Sequence, residues 1–167
     1  MTATARTRPM VEDDLLMSVR THPSARVIVV EDDPEMRAWV EEILNEEGYQ
    51  VRALPDAFSS LVQQMREPAD LVITDWKMPD MDGLRLLEAL HRCSPDLPVI
   101  LVTAFPDDEM VRRVQEDGAF SCITKPFRRA QLLAHVQGAL HCARLPRKPT
   151  SGGARNGRAT PDEDHEA

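Results

Sequence analysis

Residues 70–83, Asp-Leu-Val-Ile-Thr-Asp-Trp-Lys-Met-Pro-Asp-Met-Asp-Gly, constrain this chain more than any other stretch. Leu71, Val72, Ile73 and Thr74 are strand formers with no charged interruption, the pattern of a strand covered on both faces. The run stops on a carboxylate, Asp75, and passes into a turn carrying Pro79, Asp80, Asp82 and Gly83. Strands covered on both faces belong to parallel sheets, which collect their ligands at the carboxyl ends of the strands. Position alone makes Asp75 a site candidate.

The rest of the chain repeats the pattern. Residues 25–30 are an apolar run that ends in Glu31-Asp32-Asp33-Pro34. Pro34 suits the first turn of a helix, along which Met36, Trp39, Val40, Ile43 and Leu44 recur at helical spacing as far as Gly48. Residues 49–54 read as a short second strand, and Pro55 opens a second helix with Phe58, Leu61, Val62 and Met65 inward, closed before Pro68. After Gly83 a third helix buries Leu84, Leu86, Leu87 and Leu90. Residues 97–102 give a fourth strand that ends at Thr103-Ala104.

Pro106-Asp107-Asp108-Glu109 is a helix start, and Gly118 is its stop. Residues 120–123 form a fifth strand running into Thr124-Lys125-Pro126-Phe127. A last helix, from about Arg128 to Cys142, sets Leu132, Leu133, Val136 and Leu140 on one face, with Gly138 costing it up to about 1 kcal/mol. Five strands alternating with five helices through short loops predict an α/β fold, a doubly wound five-stranded parallel sheet in three layers.

The 167 residues are expected to hold one domain, residues 25–144, and composition predicts a flexible arm (1–24) with a short helical turn at 15–19 and a disordered tail (145–167) with no output domain. Aromatic residues are only 4% of the chain, so the core falls to Leu, Val, Ile, Ala and Met. A net charge of -8 disfavours direct nucleic-acid binding. Cys93, Cys122 and Cys142 have neither disulfide nor zinc spacing, and no apolar run approaches the roughly 18 residues that span a bilayer. A reduced cytoplasm is the expected home.

Glu31 and Asp32, Asp75, Thr103 and Lys125 each follow a different strand, and in a doubly wound sheet they converge on one edge. Crowded carboxylates call for a cation, and an all-oxygen set suits Mg²⁺. An aspartate beside such an ion is a nucleophile toward a phosphoryl group, with Lys125 and the Thr103 hydroxyl completing the surroundings of the transferred group.

Taken together, Glu31-Asp32, Asp75 with Met78-Pro79-Asp80-Met81-Asp82-Gly83, Thr103-Ala104 and Lys125-Pro126-Phe127 resemble, in order and spacing, the receiver domains of two-component response regulators. The resemblance covers residues 25–143. It implies a flavodoxin-like (CheY-like) fold with strand order 2-1-3-4-5 and a cis Lys125–Pro126 bond. It also implies that Asp75 accepts phosphate from a histidine kinase or histidine phosphotransfer protein. Mg²⁺ would be ligated by Asp32 and Asp75, by the Lys77 carbonyl, and by Glu31 through water. The implied role is a stand-alone receiver, a phosphorylation switch or shuttle rather than an enzyme. Its downstream protein target would dock on the face of the fourth helix, fifth strand and last helix, with oligomeric state open.

Two positions depart from the family. Cys122 replaces a frequent aromatic three residues before the lysine, which leaves the backbone of the Thr103 loop to carry the readout. Phe105, apolar and bulky two residues after Thr103, leads us to expect a long-lived phosphoryl group.

A phosphatase of the haloacid-dehalogenase type also uses Asp, Thr or Ser, Lys and Mg²⁺, but such enzymes carry a general-acid Asp where this chain has Lys77. A scaffold that is never phosphorylated is disfavoured because every site residue is present. A nucleotide or flavin binder is disfavoured because Glu31-Asp32-Asp33 repels phosphate.

Overall fold

The structure, a computed structural model, describes residues 25–104, 112, 116 and 118–144. The arm with its helical turn, the tail and Phe105 lie outside the described residues. So does most of the helix expected after Pro106, of which Arg112 and Glu116 are described as helical and pair at 3.8 Å. The strands are β1 (Arg26–Val30), β2 (Gln50–Leu54), β3 (Leu71–Asp75), β4 (Val99–Thr103) and β5 (Ser121–Thr124). Between and after them run α1 (Pro34–Glu46), α2 (Ala57–Arg66), α3 (Gly83–Cys93) and α4 (Arg129–Arg144).

All four ladders are parallel, in the order β2-β1-β3-β4-β5. Successive residues along a strand point to opposite faces, and both faces are apolar, which is why β1, β3 and β4 read as unbroken runs. Val27, Val29, Ile73, Ile100 and Val102 pack with Val40 and Leu44 of α1 and Leu132 and Val136 of α4. Ile28, Val30, Val72, Val99 and Leu101 pack on the other face with Ala57 of α2 and Leu86, Leu87 and Leu90 of α3. All four leucines expected inward on α3 are buried.

Three helices begin on an aspartate whose side chain accepts from a backbone N–H three residues on: Asp33 from Met36, Asp56 from Ser59 and Asp82 from Arg85, at 2.6–2.8 Å. For α2 this overturns part of the expected phase. Asp56 caps the helix, not Pro55, and the face so directed at the sheet carries Ala57, Ser60 and Gln64. Phe58 and Met65 stand outward, 72% and 79% exposed, whereas Leu61, half-buried, packs against the core as expected. Gln64 is buried because it ties the next loop, accepting from the Ala69 N–H at 2.8 Å and donating to the Ser94 hydroxyl at 3.4 Å.

Aromatic residues also differ from the sequence reading. Trp39 is 37% exposed, its ring 5.5 Å from that of Phe127. Phe120 precedes β5 rather than joining it, and its ring lies against Gly138, where a Cβ would meet it at 3.5 Å. The Lys125–Pro126 bond is cis, as the resemblance implies. Among the described residues no helix is long and apolar enough to cross a membrane.

Candidate functional site

The carboxyl ends of β1, β3, β4 and β5 carry the polar residues. Glu31 follows β1 directly, and its N–H donates to Leu54 O of β2 at 3.1 Å, so the ladder continues one residue past the strand and holds the glutamate inward. The Arg37 guanidinium, one turn into α1, donates to the carbonyls of Glu31 (2.8 Å) and Asp32 (3.3 Å), pinning the loop by its backbone and leaving the carboxylates to the site. Nothing in the sequence singles out an arginine on the second turn of a helix for this task.

Asp75 closes β3, and Trp76 N donates to Val102 O of β4 at 2.7 Å. Gly83, the first residue of α3, lies so close that a Cβ would sit 2.7 Å from Asp75 O and 2.7 Å from Leu101 Cδ2. This glycine is required by contact, because the helix N-terminus abuts the strand end. On the far side, Lys125 N donates to Thr103 O at 2.7 Å, which fixes the lysine beside the end of β4.

The result is a compact charged cluster. The Lys125 ammonium donates to Glu31 Oε2 at 2.8 Å and lies 3.3 Å from Asp75 Oδ2. Glu31, Asp75 and Thr103 are buried, whereas Asp32 is exposed at the rim. Burial pushes the Glu31 carboxyl above the ordinary carboxylate value, the Lys125 hydrogen bond opposing and the charge of Asp75 adding to the rise. Burial pulls the Lys125 ammonium down, but the hydrogen bond to Glu31 and the charges of Asp75 and Glu31 outweigh it and hold its pKa above the usual value.

Glu31, Asp32 and Asp75 each offer one carboxylate oxygen, all within 4.8 Å of one another. Hard oxygen donors, two from buried residues and one from the solvent side, form the kind of set Mg²⁺ takes while keeping several waters. The residues present fit that ion. Lys77 lies two residues beyond Asp75 in the following loop, exposed. The structure thus brings Glu31, Asp32, Asp75 and Lys125 into one cluster, with Thr103 at the neighbouring strand end.

Comparison with known proteins points the same way. The family model of the response regulator receiver domain matches residues 27–137. The C4-dicarboxylate transport transcriptional regulatory protein DctD of Pseudomonas aeruginosa is 35% identical over 120 residues, 72% of this chain and 26% of the relative. The phosphate regulon transcriptional regulatory protein PhoB of Escherichia coli is 36% identical over 118 residues, 69% of this chain and 51% of the relative. The chain therefore spans about a quarter to a half of the length of these relatives. Among solved structures, a CheY-like receiver domain protein from Methanospirillum hungatei JF-1 superposes with a TM-score of 0.68 at 31% identity, covering 71% of this chain and 95% of that one. The chemotaxis protein CheY4 of Vibrio cholerae gives 0.67 at 27% identity, over 70% and 98%.

Proposed function

Because the chain belongs to the receiver domains of two-component response regulators, we propose that Asp75 is its phosphoacceptor and that it works as a phosphorylation-dependent switch or shuttle. The observation that carries this reading is the meeting of Glu31, Asp32, Asp75 and Lys125 at one sheet edge.

A carboxylate oxygen of Asp75 attacks the phosphorus of a phosphohistidine on a kinase or phosphotransfer protein. The new P–O bond forms as the P–N bond breaks, and the imidazole leaves with the bonding electron pair and takes up a proton. Asp32, Asp75 and the Lys77 carbonyl, with Glu31 through water, would hold Mg²⁺, which when bound neutralises charge on the transferred group. Lys125, 3.3 Å from Asp75 Oδ2, pairs with a phosphoryl oxygen, and in doing so trades part of its hold on Glu31. Thr103, buried at the end of the neighbouring strand, supplies a hydroxyl to another oxygen.

Phosphorylation adds roughly -1.5 to -2 charges. Moving an equilibrium from 1:99 to 99:1 takes about 5.5 kcal/mol of differential stabilisation. Two charge-assisted hydrogen bonds at roughly 1.5–3 kcal/mol each supply much of it. With Cys122 in place of an aromatic, the Thr103 loop carries the signal toward β5 and α4, where a separate protein target docks.

Intact-mass measurement after incubation with a small acyl-phosphate donor tests this. One phosphoryl group should be added in the presence of Mg²⁺, none without it, and none in Asp75→Ala. Labelling that persists in Asp75→Ala would remove Asp75 from the role. Loading by a purified histidine phosphodonor covers the case of a receiver that ignores small donors.

A further inference from the structure

On the face of the sheet away from α1 and α4, the outward sides of α2 and α3 leave an apolar groove. Leu61 and Met65 of α2 line one side and Ala89 and Cys93 of α3 the other, with Gln64 also lining the groove. Phe58 and Met65 are the two most exposed large apolar side chains among the described residues. Arg92, exposed, lines the α3 side, so the otherwise apolar groove carries one cation at that edge.

We propose that this groove is the docking site of residues 11–19 of the same chain. Val11, Leu15 and Val19 recur at four-residue spacing, one apolar stripe if the segment lies as a helix, and Glu12, Asp13 and Asp14 supply acids for Arg92. The described fold starts beside the groove. Arg26 N donates to Asp70 Oδ2 at 2.8 Å and accepts, through its carbonyl, from Asp70 N at 2.8 Å. The adjacent Ala69 N–H donates to Gln64 Oε1, also at 2.8 Å, and Gln64 lines the groove. Ala25 is therefore a few residues' width from its lower end. Residues 20–24 between Val19 and Ala25 reach roughly 20 Å when extended, at about 3.3–3.6 Å per residue.

A tethered segment suits this surface better than a second copy of the chain. Stable interfaces engage about 20–30 residues a side, far more than one wall of each of two short helices offers. A tether instead raises the local concentration of the segment to roughly the millimolar range, so that three apolar side chains and an acidic run suffice.

Cys93 lines the groove and is exposed in the described fold, as is Cys142 near the end of α4, so the two thiols report occlusion internally. The test is alkylation of the full chain by N-ethylmaleimide, followed by peptide mass mapping, beside a Leu15→Asp/Leu16→Asp variant. Urea unfolding of both chains, run alongside, keeps a loss of folding from being read as loss of docking. Cys93 should react roughly fivefold or more slowly in the unaltered chain than in the variant, the ratio given by about 1 kcal/mol of docking free energy. Cys142 should react alike in both. Equal Cys93 rates in the two chains would overturn the proposal. Cys93 protection that disappears on dilution would also overturn it, assigning the groove to a second copy.

Discussion

Helices α2 and α3 lie side by side on one face of the sheet, yet α3 buries Leu84, Leu86, Leu87 and Leu90 while α2 buries Ala57, Ser60 and Gln64 and turns Phe58 and Met65 outward. Both have an aspartate cap and a short apolar content, so composition does not separate them. What separates them is what each must approach. Helix α3 packs branched side chains over Val72, Val99 and Leu101, and its first residue, Gly83, lies close to the backbone of Asp75. Helix α2 instead presents small side chains and one amide whose hydrogen bonds hold the next loop. Hydrophobicity orients a helix only where no polar bond or close contact sets its phase first.

Substitution should sharpen this contrast, most strongly in α3. Leu87→Ala removes a fully buried side chain and should cost about 2–5 kcal/mol in urea unfolding. Phe58→Ala, also a large-to-small change but on the outward face of α2, should stay within about 0.5 kcal/mol. Similar losses for the two would erase the distinction. Gly83→Ala comes next, because its Cβ has no room against Asp75 O. Overpacking of this kind costs about 1–3 kcal/mol, and the phosphoryl uptake proposed for Asp75 should slow in parallel, read as the rate of the mass shift.

Gln64→Ala should cost about 1–3 kcal/mol by leaving the Ala69 N–H unpaired, more than its polar side chain would suggest on a helix otherwise taken as outward-facing. Among the substitutions that remove a native contact, the smallest loss is at the cap. Asp56→Ala should lose about 1 kcal/mol. The Ser59 N–H and then the Ser59 hydroxyl hold the Asp56 carboxyl below its usual value, so its contribution is present above the ordinary carboxylate pKa and fades as pH falls through the depressed one. The stability difference between the unaltered chain and Asp56→Ala should therefore narrow in acid. A difference that stays constant down to strongly acidic pH would remove the carboxylate from that account.

The same contrast explains what could be read in advance. Strands β1, β3 and β4 announced themselves because burial on both faces leaves no polar alternation, and four of the clustered site residues were visible because Glu31, Asp32, Asp75 and Lys125 each interrupt an apolar run at its end. The phase of α2 was only partly legible, since Phe58, Leu61, Val62 and Met65 form a valid helical stripe of which Leu61 packs on the core while Phe58 and Met65 turn outward. Arg37 was hidden for a different reason. It acts on backbone carbonyls, and a side chain whose partners are main-chain atoms leaves no complementary residue in the sequence to reveal it.

Lys125 sits between Glu31 and Asp75 as the counter-ion of two buried acids. A resident cation offsets part of the repulsion between those acids within the chain itself. The same ammonium is then claimed by the group it is proposed to receive. A single side chain thus serves construction and signalling, and selection acting on either duty is bound to move the other.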